Sequence, residues 1–337
     1  MELYFLGTGA GVPSAERNVS ALALRLEKPN ETWLFDCGEA TQHQLLKSPL
    51  SPVKIRRIFI THLHGDHVFG LPGLLSSRSL QGDPSHRVTL YGPSGIECFL
   101  RDALRHSSTH VRYGFDVVEF DPISPQTAHL YEDDHVTVSY APLLHGIPTV
   151  GFLIQEKDQP GALDAEKLRA LGVAPGPQYG ELKRGIAITL EDGRTLKPDD
   201  FRKPPTPGRR VVILGDTAPC SEAVTLAQNA DVLVHESTFS ARDASHAHRH
   251  HHSTTRDAAQ TARDANVRRL ILTHISPRYH ERANNPADLP IQLLQEAKAI
   301  FANTDLAHDH FHITIPKPMS CSIVGDALDK TGKIPDM

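Results

Sequence analysis

The densest chemistry in the chain lies in Thr61-His62-Leu63-His64-Gly65-Asp66-His67. Five polar side chains occupy seven positions here, between the apolar run Ile58-Phe59-Ile60 and a glycine-bearing apolar segment, residues 68–75. Imidazole nitrogens and a carboxylate oxygen at this spacing suit a borderline-soft divalent ion, zinc or manganese, so the cluster reads as a metal site. A single surface histidine carries little meaning, whereas a cluster of ligand-type side chains on one turn does.

Residues 55–61, rich in isoleucine, read as a buried strand and residues 68–80 as a helix, which puts the cluster on the turn between them. Side chains on an extended segment repeat every two residues, so His62 and His64 point the same way. After Gly65 the chain turns, and Asp66 with His67 can face a second point a few ångströms off, which favours two neighbouring ions. Other strands end alike: Val211-Val212-Ile213-Leu214 runs to Asp216, Val232-Leu233-Val234 to His235-Glu236, and Leu270-Ile271-Leu272 to His274. In open α/β folds ligands collect at the carboxyl ends of strands, so these ends should converge on one cleft. His145, after a strand at 135–141, is the natural third ligand beside His62 and His64. Asp216 can bridge two cations through its two oxygens, holding them about 3.5–4 Å apart, and His274 completes the second ion with Asp66 and His67.

With 337 residues and 39% hydrophobic content, the chain can build one large core or two small ones. Met1-Glu2-Leu3-Tyr4-Phe5-Leu6-Gly7 runs straight into a strand and a glycine turn, without the basic and apolar pattern of a leader. No apolar run reaches the thickness of a bilayer, and a soluble cytoplasmic protein with no membrane partner is expected. Cys37, Cys98, Cys220 and Cys321 form no C-x-x-C pair, which argues against a disulfide framework or a thiolate zinc site. The formal net charge of −5 argues against a general nucleic-acid binder and leaves any such role to bound metals and a local basic patch. Of 21 histidines, five fall within residues 246–252. His246, His248, His250 and His251 are read as solvated loop residues with at most weak, adventitious affinity for metal.

The chain opens as a β meander and then alternates strands with helices: strand 87–91, helix 94–106, strands 117–120, 135–141 and 149–155. From 156 to 210 the texture changes to Pro160-Gly161, Pro175-Gly176-Pro177 and Pro204-Pro205 amid scattered charges, the mark of an inserted arm at about 155–210. The rhythm then resumes through helix 253–266 and helix 291–301 to a last strand at 311–315, leaving 316–337 as a tail. Meander plus strand-helix units in both halves imply two packed sheets with helices outside, a four-layer αββα sandwich spanning 1–315 as a single domain that carries the arm.

The His62 to His67 motif after a strand resembles the metallo-β-lactamase superfamily. Within it, the order of motifs resembles ribonuclease Z, the endonuclease that trims the 3′ end of precursor tRNA. The resemblance rests on Phe5-Leu6-Gly7-Thr8-Gly9-Ala10-Gly11-Val12-Pro13, Phe35-Asp36-Cys37-Gly38-Glu39, His145, Gly215-Asp216-Thr217, His235-Glu236-Ser237-Thr238, His252-Ser253-Thr254 and Thr273-His274. It implies two zinc ions per chain, with manganese as the alternative: one held by His62, His64 and His145, the other by Asp66, His67 and His274, and Asp216 between them. Two cations supply hydroxide near neutral pH and neutralise charge developing on the phosphoryl oxygens. Asp66 would orient the attacking water or accept its proton. The leaving ribose oxygen needs a proton; His252 matches the family's general acid, with Glu236 orienting its ring.

The resemblance also implies precursor tRNA as substrate, a homodimer, and contacts to tRNA from Lys183 and Arg184 on the arm. Arg17 and Asn18 match a substrate-binding loop, although the chain has Ala15 where the family often carries a basic residue. Two rival readings share the fold: a hydrolase of small phosphodiesters or other esters, and a non-catalytic RNA- or metal-binding protein. The second requires a missing ligand or acid, and none is missing.

Overall fold

Alternation along each strand decides the layering. In the strand Arg210–Leu214, Val211 and Ile213 join one buried cluster with Phe5, Trp33, Phe59 and Phe152, while Val212 and Leu214 join another with Ala223, Leu226 and Ala258. Ile58 and Phe59 divide in the same way, Phe59 into the first cluster and Ile58 into a third with Leu71, Leu74 and Ile96. Strands buried on both faces read as continuous apolar runs, and each fully buried side chain of this size contributes about 1.5–3 kcal/mol. The first cluster is therefore the layer between two sheets, and the other two lie under the outer helices.

The structure is a computed structural model that describes residues 1–81, 85–123 and 127–317. One sheet has seven strands in the order His312–Thr314, Glu2–Gly7, Ala21–Arg25, Thr32–Phe35, Ile55–Phe59, Val88–Pro93 and Phe115–Phe120. The other has seven in the order Thr304–Leu306, Leu270–Thr273, Val232–Glu236, Arg210–Leu214, Thr149–Glu156, Val136–Leu143 and Ala128–Glu132. Each sheet is antiparallel on one side and parallel on the other, so Ile55–Phe59 runs parallel to Thr32–Phe35, and Arg210–Leu214, Val232–Glu236 and Leu270–Thr273 run parallel to one another. Parallel neighbours bring their carboxyl ends to the same edge. This is the αββα sandwich that the strand and helix pattern implies.

The chain divides into two compact units, Met1–Lys157 with Arg209–Pro316, and Asp158–Gly208. The second unit has its own core of Leu168, Val173, Leu182, Ile188, Leu196 and Phe201, built from helices Ala165–Ala170 and Pro177–Lys183 and the hairpin Ile188–Thr189 with Thr195–Leu196. Asp164 caps the first helix by accepting from the Lys167 N–H, and Pro177 opens the second.

Several element boundaries differ from the sequence reading. The expected helix 68–80 is two helices, Gly65–Val68 and Leu71–Gln81, because Pro72 cannot donate to residue 68 and its ring would collide with that carbonyl. The loop read across 246–251 is in part the helix Ala244–Arg249, which buries only Ala247 and so shows no apolar stripe. Edge strands Ala128–Glu132 and Thr304–Leu306 are additions. The tail beyond residue 317, with Cys321, lies outside the described residues.

Candidate metal centre

Asp36 follows the strand Thr32–Phe35 and His62 follows Ile55–Phe59, so the parallel pairing of those strands brings the two loops side by side. The turn at Asp36-Cys37-Gly38 is clamped to the motif helix: Cys37 N–H donates to the His67 carbonyl at 2.8 Å and Gly70 N–H to the Cys37 carbonyl at 2.9 Å. Gly38 and Gly70 permit this approach, since a Cβ on Gly38 would lie 2.3 Å from the Asp66 carbonyl oxygen and one on Gly70 2.0 Å from that of Gly38. From the other sheet, Asp216 follows Arg210–Leu214, Glu236 ends Val232–Glu236 and His274 follows Leu270–Thr273.

The structure brings all seven expected ligands together. His62 Nε2 lies 3.1 Å from His64 Nδ1, which lies 3.3 Å from His145 Nε2, and Asp216 Oδ2 is 3.8 Å from His62 Nε2 and 3.9 Å from His145 Nε2. In the second group, His67 Nε2 lies 3.5 Å from Asp66 Oδ2, His274 Nε2 lies 3.4 Å from the same oxygen, and Asp216 reaches both histidines at 3.5 and 3.3 Å. A tetrahedral ion bonded to nitrogen and oxygen at about 2.0–2.2 Å separates its ligands by about 3.3–3.6 Å, close to most of these spacings. The donor chemistry fits a metal as well: buried His67 Nε2 makes no hydrogen bond among the described residues.

In every one of these histidines but His64 the remaining ring nitrogen is committed elsewhere, which fixes how that imidazole presents itself. His67 Nδ1 donates to Asp36 Oδ2 at 2.8 Å. Thr61 Oγ1 donates to Asp36 and accepts from His62 Nδ1 at 3.0 Å; Thr238 Oγ1 donates to Glu236 Oε2 and accepts from His274 Nδ1 at 2.9 Å. His145 Nδ1 donates to the His251 carbonyl at 2.9 Å. Outer partners of this kind set the tautomer and raise the basicity of the facing nitrogen. Asp36 and Thr238 carry no role in the sequence reading, although both sit inside motifs quoted there. Asp36 and His274 both adopt left-handed backbone, φ 57° in each, a strained conformation that functional sites retain.

Electrostatics follow the burial. Burial, then the charge of His67, pushes His62 well below its ordinary value, so it is neutral, the form that ligates. Burial likewise lowers His64 and His145. For Asp216 the burial that would raise its carboxyl is overcome by the charges of His274 and His67, and it is held well below the usual range.

His252 stands beside the cluster, its ring 4.9 Å from His145 and 5.6 Å from His274. Nδ1 meets Glu236 Oε1 at 2.8 Å, and Glu236, 1% exposed, also accepts from the Thr217 and Thr238 N–H groups. Burial lowers the affinity of His252 for a proton, but the hydrogen bond and charge of Glu236 win, and its pKa is raised to about 9. An atom of His252 lies close enough to Asp216 and His274 to join a third ligand set, yet the group of His62, His64, His145 and Asp216 and the group of Asp66, His67 and His274 both close without it.

The remaining expected site residues behave differently. Arg17 is 7% exposed, and its Nη1 donates to Thr8 Oγ1 at 2.8 Å and to the Ala307 carbonyl at 2.6 Å, so it braces the loop from inside. Asn18 is half-buried and donates through Nδ2 to the Glu39 carbonyl, so it too serves the loop. Ala15 lies on the exposed tip of that loop. In the second unit, Lys183 and Arg184 end the helix Pro177–Lys183 and are both exposed.

Two mixed sheets between helices, with histidines and aspartates gathered at the strand ends, define a protein of metallo-β-lactamase fold. The family description "Beta-lactamase superfamily domain" matches residues 202–275, and "Anti-Pycsar protein Apyc1" matches residues 1–159. Ribonuclease Z of Bacillus licheniformis is 51% identical over 318 residues, covering 94% of this chain and 100% of that protein. That of Geobacillus kaustophilus is 50% identical over 318 residues with the same two coverages. The crystal structure of human tRNase Z, short form, is similar with a TM-score of 0.68 at 33% identity, covering 94% of this chain and 100% of that one. The chain belongs to the ribonuclease Z family.

Proposed function

We propose that this chain is a zinc-dependent endoribonuclease that cleaves the 3′ trailer from precursor tRNA and leaves a 3′ hydroxyl on the tRNA. The observation that carries the reading is the His252–Glu236 pair, joined at 2.8 Å beside a ligand cluster that is complete without it. His62, His64 and His145 would hold one ion and Asp66, His67 and His274 another, with Asp216 shared. Such ions, when bound, lower the pKa of water and neutralise charge on phosphoryl oxygens.

The chain's own groups supply the rest. Asp66, whose Oδ2 is fixed by the Gly11 N–H at 2.8 Å, orients the attacking water or takes its proton. As the bond between phosphorus and the ribose 3′ oxygen breaks, His252 gives a proton to that oxygen, and Glu236 holds the imidazolium in place. Lys183 and Arg184 contact tRNA phosphates, which supply affinity and register rather than sequence preference. The working form in this reading is a cytoplasmic homodimer, and a light-scattering mass of one chain rather than two would overturn the dimer.

The test is metal-dependent cleavage of a 3′-extended precursor tRNA, beside a small phosphodiester, by wild type and by a form lacking residues 158–208. Cleavage at the tRNA 3′ boundary that falls without the arm, while small-ester turnover survives, supports the reading. Fast small-ester turnover with no precursor cleavage by wild type overturns it in favour of a small-molecule hydrolase.

A further inference from the structure

We infer that His246 and His250 form a second, peripheral site for a divalent transition ion such as copper or nickel, separate from the catalytic cluster. The two residues lie one helical turn apart: the His250 N–H reaches the His246 carbonyl at 3.3 Å, and the ring centroids are 4.6 Å apart. Residues at i and i+4 share a helix face, and two histidines at that spacing are a bidentate chelate for borderline ions. Both side chains are exposed, and among the described residues neither ring makes a hydrogen bond.

The surroundings restrict what can bind. Phe239 packs edge-on against His246 at 5.0 Å, and the Arg278 guanidinium lies over the Phe239 ring, 4.9 Å from its centre. The aromatic wall limits the rotamers of His246 and so lowers the ordering cost of binding. Arg249 and Arg278 set positive charge beside His246 and Asp243 opposes it, and a pair of imidazole nitrogens suits borderline ions better than hard ions such as magnesium or calcium, which prefer carboxylates. His248, between the two on the chain, is different: its Nε2 is engaged by Asp257 Oδ2 at 3.0 Å, on another face of the helix. It is the internal control.

The site adjoins the segment that serves catalysis. From His250 the chain passes to His251, whose carbonyl holds His145, and then to His252. An ion joining His246 to His250 fastens the last helical turn before that segment.

The test uses the zinc-loaded enzyme titrated with copper(II) and followed by electron paramagnetic resonance, with zinc release measured in the same samples. One copper ion per chain with nitrogen ligation and no zinc release is expected for wild type. His246→Ala and His250→Ala should each weaken that binding about 100-fold, the lower end of what joining two binding groups contributes, while His248→Ala stays near wild type. Equal binding by all four proteins, an equal loss in His248→Ala, or zinc released in step with copper uptake overturns the proposal.

Discussion

The body that bears the histidine cluster and the arm that bears Lys183 and Arg184 solve different physical problems. In the body, each ligand but His64 and the carboxylates is held through its second ring nitrogen by a named partner, and Asp36, Thr61, Thr238 and the His251 carbonyl are all spent on orientation. In the arm, six buried side chains and two strands of two residues suffice, and the cations at the end of Pro177–Lys183 are exposed. Geometry good to a fraction of an ångström needs a second layer of hydrogen bonds, whereas contact with a phosphate backbone needs only charge on a surface that keeps its shape. The contrast predicts that substitutions in the body change chemistry on every substrate and those in the arm change only large ones.

The strongest attack on that contrast is Asp216→Ala, which removes the carboxylate common to both groups. Metal content should fall and turnover of both precursor tRNA and a small phosphodiester should drop by on the order of 10⁴-fold. His252→Ala is next, with a loss of about 10²–10³-fold on precursor tRNA. That loss should shrink on an ester whose leaving group needs no proton; an equal loss on both esters would deny His252 the role of acid. Asp36→Asn keeps the fold but weakens the hold on His67, and metal affinity measured by competition with a chelator should fall about 10–100-fold.

On the arm, Lys183→Ala with Arg184→Ala should leave small-ester turnover unchanged. Their joint removal should make precursor binding less steep in salt by about 1–2 units of log–log slope. The smallest effect concerns the body's rim. Hydrogen bonds from the Met1 ammonium and from Arg209 hold the Glu27 carboxyl down at about 2, below its ordinary 4.5. A depressed carboxyl stabilises the fold above its unfolded value and loses that contribution as pH falls toward 2, so Glu27→Gln should flatten the acid limb of a pH–stability curve. The effect is modest, because the Glu27 side chain is 57% exposed.

What could be read from the sequence was local. His62, His64, Asp66 and His67 lie on one turn, and Asp216 and His274 each follow an apolar strand, so spacing alone pointed to their convergence. What escaped depends on distance along the chain. Asp36 meets His67 across 31 positions, and no local pattern announces that pairing. Arg17 likewise meets Ala307 across 290 positions, a contact that makes its guanidinium an internal brace. The arm's fold was hidden because a core of six residues leaves no sustained periodicity, and the helix Ala244–Arg249 because it buries a single alanine.

Both candidate ligand groups draw on both sheets: His62 and His64 stand opposite His145 and Asp216, and Asp66 and His67 opposite His274. The order of synthesis gives this division a consequence. A growing chain displays four of its ligand side chains by residue 67 but cannot complete either grouping early, because Asp216 and His274 are made far later. Nascent chains therefore lack a finished cutting centre for most of translation, while ribosomes and their tRNAs are within reach. With these side chains scattered along the polypeptide, neither group can close until nearly the whole body has been made.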